Sequence, residues 1–223
     1  LPQVSARLII DNQPIIEDKP GTASLLSSML GTGTENISKD EFNEEVDFLG
    51  ANVSLGAQSA SASSLKRYFE RIMELMADGA LNPKFTEENF KAEKDKLIEN
   101  IKNSQNSASA IASRASTALA YGKEHPYGQF ATVESVKNIT LDDVKNMYRN
   151  YFSPENAYMV VVGDITSKKA KKLVKKNFKK WKSEVLPAET LPEPENVEFT
   201  QVNLVDMPNA VQSEVYVENT VDL

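Results

Sequence analysis

The chain has no cysteine, a single histidine (His125) and a single tryptophan (Trp181) among its 223 residues. Without thiols it forms neither disulfides nor thiolate metal sites, although that alone does not fix its compartment. One imidazole rules out any metal centre built on two or three histidines, and it leaves a serine nucleophile only His125 for an imidazole base. Long apolar runs are missing too, since no window approaches the about 18 unbroken apolar residues that a membrane span requires. No charged, apolar and small-residue leader opens the sequence. Leu1 to Ile10 reads instead as a strand already under way, with Val4, Ala6, Leu8 and Ile10 on one face. The start therefore reads as trimmed, with room for a lost export signal, and the bacterial periplasm or cell envelope is the expected compartment.

What is present suffices for a core. At 40% hydrophobic residues the chain can bury one domain or one and a fraction. Net charge is −7 but unevenly spread, because Lys168 to Lys182 holds nine lysines and no acid, leaving 16 basic against 32 acidic residues elsewhere. Ala170, Leu173, Val174, Phe178 and Trp181 recur there at helical spacing, so the run reads as a surface helix with a solvated lysine face. An anionic partner, nucleic acid or a lipid surface, is the weaker reading against so acidic a remainder. No nucleic acid and no membrane span are expected.

Along the chain, Pro20 suits a first helical turn and Gly31 the position just past a last one, with Leu25/Met29 and Leu26/Leu30 each four apart between them. The capping box Ser38-Lys39-Asp40-Glu41 opens a helix that stops at Gly50. Ala51 to Leu65 predicts a strand, a turn and a second strand. Further helices are predicted over Arg67–Ala80, from Thr86 onward with Glu87 and Glu88 in the first turn, over Ser107–Tyr121, and from Thr140 to about Phe152. Met159 to Asp164 predicts a buried central strand. Residues 1–185 are thus expected to form one α+β domain and 186–198, rich in Pro and Glu, a linker. Residues 199–223 then begin a second, truncated domain, with strands at Thr200–Val205 and Val211–Val217.

Ser24 and Ser28 lie four apart with Ser27 beside them, which puts three hydroxyls on one strip of the first helix. By themselves they suit a small polar face packed on a neighbouring element. The stretch Gly21-Thr22-Ala23-Ser24-Leu25-Leu26-Ser27-Ser28-Met29-Leu30-Gly31-Thr32-Gly33-Thr34 also resembles the zinc-peptidase helix of the pitrilysin/insulinase family, which includes the processing peptidases. There two His one turn apart hold zinc and the intervening Glu is the general base. The serines occupy those three places, and an alcohol is a poor zinc ligand and no carboxylate base.

The likeness extends along the chain. Leu49-Gly50-Ala51, Asn82-Pro83-Lys84-Phe85 and His125-Pro126-Tyr127-Gly128 resemble recurrent family turns. Ile139 to Val144, Tyr151 to Ala157, Val160 to Ile165 and Asp206 to Ser213 follow the family's order and spacing. The resemblance implies an α+β fold with helices on a mostly antiparallel sheet. It also implies two halves closing on a peptide chamber, one bearing zinc and the other without the motif. Glu99 falls where active members carry their third zinc ligand, an orphan here, so no cofactor is expected in this chain and zinc is expected in the partner half. The implied role is a non-catalytic half or subunit of a two-component zinc endopeptidase. Its implied partners are a zinc-bearing homologous subunit or fused half and an unfolded peptide. The alternative is a structural subunit of the same fold, like the core subunits of a respiratory complex. Asn52, Val53, Ser54 and Leu55 fall where active relatives pair with substrate as an added strand, and a peptide-binding edge is expected there. His125 reads as a loop residue bonded locally, and Asp95 with Glu99 as a solvated pair.

Overall fold

The computed structural model describes residues 2–182, 190–208 and 210–219. The period-two alternation near the start forms β1 (Gln3–Ile10), and Val4, Ala6, Leu8 and Ile10 are at most 3% exposed. Ala51 to Leu65 forms the expected hairpin, β2 (Asn52–Gly56) and β3 (Ser59–Leu65), and the apolar run forms β4 (Ala157–Gly163). The four strands make one antiparallel sheet in the order β2-β3-β1-β4. Met159 to Asp164 is thus not a central strand. Among the described residues β4 pairs with β1 alone, and Tyr158, Val160 and Val162 are exposed while Ala157, Met159 and Val161 turn toward the core. The run of valines reflects strand propensity, but propensity does not say whether a second sheet face is covered.

The helices are α1 (Thr22–Met29), α2 (Lys39–Phe48), α3 (Phe69–Leu81), α4 (Glu87–Ser104), α5 (Ala108–Tyr121), α6 (Val133–Asn138), α7 (Leu141–Tyr151) and α8 (Ser167–Phe178). α3 supplies the core facing the sheet, with Phe69, Ile72, Met73, Leu75 and Met76 at most 2% exposed. Each such side chain contributes about 1.5–3 kcal/mol relative to an exposed one. Tyr148 of α7 is half-buried beside Phe85 and Phe152 and its hydroxyl donates to the Ala80 carbonyl at 2.8 Å; desolvation pushes its ionisation above the ordinary phenol range. Trp181 closes the row, stacking obliquely on Phe152 and donating from Nε1 to the Phe152 carbonyl.

The capping box Ser38 with Glu41 starts α2 as the sequence indicates, and a second box, Thr140 with Asp143, starts α7 at the expected place. A third, Thr132 with Ser135, starts the six-residue α6, too short for the apolar periodicity to reveal it. On the surface Arg71 forks onto Glu45, with Nε and Nη2 at 2.6 and 2.7 Å from the two carboxylate oxygens. That donation holds the Glu45 carboxyl below the ordinary range, and Lys176 followed by Arg71 does the same for Glu74.

The described residues fall into two contact units, one drawn from 2–12, 23–93 and 140–182 and the other from 13–22, 94–139, 190–208 and 210–219. The sheet lies in the first. In the second, Gly21 adopts φ +111°, and a Cβ there would meet Val136 at 2.9 Å, so glycine lets the chain turn against α6. Residues 186–189 of the expected linker and 220–223 of the expected second-domain start lie outside the described residues. Thr200–Val205 and Val211–Val217 do not form the expected strands: both segments are irregular, with Val202, Leu204, Val211 and Val217 at least 90% exposed. Alternation supplies strand propensity, yet a strand forms only against a hydrogen-bonding neighbour, and none of the described residues pairs with these segments.

Candidate functional site

α1 is seated by Leu25, Leu26, Met29 and, just past its end, Leu30, each at most 1% exposed. With those positions buried, helical geometry turns Ser24, Ser27 and Ser28 the other way. Ser24 and Ser28 are exposed and Ser27 is half-buried. The Ser28 hydroxyl donates back to the Ser24 carbonyl at 3.2 Å, a local bond within the helix. Ser27 makes the tertiary contact. Its Oγ accepts the Ala57 backbone N–H at 3.1 Å, which ties α1 to the turn between β2 and β3.

This donor set does not fit zinc. Three neutral hydroxyls replace the expected imidazole, carboxylate and imidazole, and two of them are already committed to backbone groups. Glu99 is an exposed residue of α4 in the other contact unit, as is Asp95. Among the described residues no group of three or more His, Cys, Asp or Glu side chains is placed to hold a metal ion. His125 is buried in its loop, where Nδ1 accepts the Tyr127 N–H at 3.1 Å and the ring stacks on Tyr121 at 5.1 Å.

The hairpin next to Ser27 offers different chemistry. β2 pairs with β3 alone, Asn52 opposite Ser63, Val53 opposite Ala62, Ser54 opposite Ser61 and Leu55 opposite Ala60, and no strand among the described residues lies on its other side. Asn52 and Ser54 are exposed, while Val53 and Leu55 are half-buried and pack against the core. Leu55 reaches α3 at Gly79, where an added Cβ would stand 2.5 Å from Leu55 Cδ1. β2 is thus held by the β3 ladder, by the Ser27 bond at its turn and by Leu55 on the glycine of α3. An unpaired, firmly held strand edge can accept an extended chain through backbone hydrogen bonds.

The sequence pointed to the serines and to β2 but not to the bond that joins them. The signal was small: Gly56 and Ala57 at a turn, and a serine strip with one side chain less exposed than its neighbours. Nor did the sequence point to Arg7, which β1 places on the outer sheet face between Ser61 of β3 and Val160 of β4. Ser5, Ser54, Ser61 and Ser63 surround it in a shallow hollow of about 530 Å³.

Comparison with known proteins bears on the whole arrangement. The family model described as insulinase (peptidase family M16) matches residues 3–129, and the one described as peptidase M16 inactive domain matches residues 138–218. Zinc protease PqqE of Helicobacter pylori is 31% identical over 192 residues, which cover 79% of this chain and 40% of that protein. The probable mitochondrial-processing peptidase subunit beta of Arabidopsis thaliana is 22% identical over 198 residues, 85% of this chain and 37% of its own length. The chain thus spans about two fifths of the length of these curated relatives. Among solved structures, a protease from Helicobacter pylori matches with a TM-score of 0.70 at 25% identity, over 87% of this chain and 48% of that one. A peptidase M16 inactive domain from Pseudomonas fluorescens matches with a TM-score of 0.76 at 21% identity, over 88% and 49%.

Proposed function

The chain belongs to the insulinase family of peptidases, family M16, and from that premise we propose that it is the non-catalytic half or subunit of a two-component zinc endopeptidase. It docks to a zinc-bearing homologous half, supplied as a separate subunit or a fused one, and helps to enclose and bind an unfolded peptide. The observation that carries this reading is α1 itself. Its apolar seat and its bond to the β2–β3 turn are in place, while hydroxyls stand where ligands and base would have to be. Hydrolysis then belongs to the partner's zinc, and this chain contributes a surface. β2 offers backbone donors and acceptors to an extended peptide, an interaction that needs no metal ligand and survives the loss of all three. On this reading residues 199–223 are the start of a second, truncated domain of the same type.

The test is reconstitution. The complete protein is combined with a zinc-bearing homologue from the same source, and turnover of an unfolded peptide is followed. Stable co-purification with a raised rate is the expected result, as is the presence of a zinc-bearing half in the same polypeptide. A contact that closes a chamber buries more than about 1,000 Å². If the proteins neither associate nor change the rate, and the gene encodes no such half, the structural-subunit alternative replaces this reading.

A further inference from the structure

α8 sorts its side chains into two halves. At 100° per residue, Lys168, Lys169, Lys171, Lys172, Lys175 and Lys176 occupy one half of the helix and Ala170, Leu173, Val174 and Phe178 the other. The apolar half is anchored: Leu173 is 3% exposed, and Val174, Phe178 and Trp181 pack against the core. The helix therefore cannot roll, and its lysine half stays outward. One lysine is neutralised by neighbours, because Lys176 Nζ lies 2.8 Å from Glu74 and 3.2 Å from Glu70 on α3. Lys168, Lys171, Lys172 and Lys175 are exposed, and none pairs with an acid among the described residues. Lys179 and Lys180 continue the row just past the helix.

We infer that this face adsorbs to an anionic phospholipid surface. The composition of the face decides between classes of anion. It contains no arginine, so it lacks the planar fork that reads a fixed carboxylate or a nucleic-acid phosphate in a defined geometry. It exposes no large aromatic on which bases stack, since Phe178 and Trp181 turn inward. Mobile ammonium groups spread along about 18 Å of helix suit a diffuse sheet of negative charge. The acidic remainder of the chain is repelled by the same surface, which orients the molecule with α8 toward it. No apolar side chain projects from the lysine half, so adsorption is peripheral and without insertion. This inference does not depend on the peptidase reading.

The test is co-sedimentation of the whole chain with vesicles of phosphatidylcholine alone or mixed with phosphatidylglycerol, in about 0.05 M and about 0.5 M salt, where screening lengths differ several-fold. Binding is expected only to the mixed vesicles and only at low salt. The triple variant Lys171→Gln, Lys172→Gln, Lys175→Gln, with its far-UV circular dichroism unchanged, should weaken it about 100-fold, at roughly fivefold per surface lysine. Lys176→Gln, whose charge is already matched by Glu70 and Glu74, should change it by less than about fivefold. Absence of binding to mixed vesicles, equal binding to pure phosphatidylcholine or full binding by the triple variant overturns the inference. Duplex DNA bound as tightly in the same buffer also overturns it and reassigns the face to nucleic acid.

Discussion

Ser24, Ser27 and Ser28 sit on one strip of one helix, yet among the described residues Ser27 alone of the three hydrogen-bonds to another part of the fold, through the Ala57 N–H. Ser27→Ala leaves that donor half-buried without its partner and should cost about 1 kcal/mol, whereas Ser24→Ala, at an exposed site, should stay within about 0.5 kcal/mol. Urea unfolding of the two variants checks this, and equal effects would remove the tertiary role given to Ser27. The sequence made the strip legible through its spacing and the missing ligands through residue type. The Ser27 bond was not legible, because it depends on where a turn thirty residues later comes to rest. His125 was easier to read, since its partners, Tyr121 and the Tyr127 N–H, lie within a few positions.

Elements were legible where local chemistry alone sets them. Caps at Ser38, Ser107 and Thr140 and the alternation of β1 depend on neighbours in sequence, and each appears where the residues put it. Rank within the sheet was not legible, as β4 shows, because it is decided by which strands find partners. Pairing between elements also governs the response to acid. Arg71 joins α2 to α3 through Glu45, with Glu74 on its own helix also within reach. Because the Glu45 and Glu74 carboxyls titrate below their ordinary value of about 4.3, their contribution is present above that pH and is lost as pH falls through the lowered folded-state values. Arg71 is 45% exposed, so solvent screening keeps the contribution small. Arg71→Met should therefore cost about 0.5–1 kcal/mol at pH 7, and the gap from the parent should narrow when the pH is lowered to about 3. Urea midpoints at the two pH values measure it; a gap unchanged at pH 3 would show that Arg71 acts through packing.

Across the whole molecule, charge and apolar exposure are both unevenly distributed. One helix and its flank hold nine of the 25 basic residues, while Val202, Leu204, Val211, Val215 and Val217 stand at least 81% exposed in irregular segments. Exposed apolar side chains this close together in sequence favour association between molecules. Val202→Ser, Leu204→Ser and Val211→Ser together should leave the unfolding midpoint within about 0.5 kcal/mol of the parent, because those side chains bury almost nothing. The same triple variant should lower light scattering at high concentration, and unchanged scattering would place the association elsewhere. Family membership was legible at this scale, since motifs from Gly21 to Asp164 keep a common order and the family models match residues 3–129 and 138–218.

The three restraints on β2 bear on time as well as on position. A free edge that frays must first be reassembled before another chain can zip onto it, so arrival and ordering compete. Here the ladder to β3, the serine at the turn and the leucine seated on Gly79 hold the edge in place. In the proposed binding of a peptide there, the entropy of ordering would fall on the visitor alone. Under the proposed function, capture at this edge would favour chains already extended and lacking structure of their own, and would discriminate by the state of the visiting chain before its sequence is read.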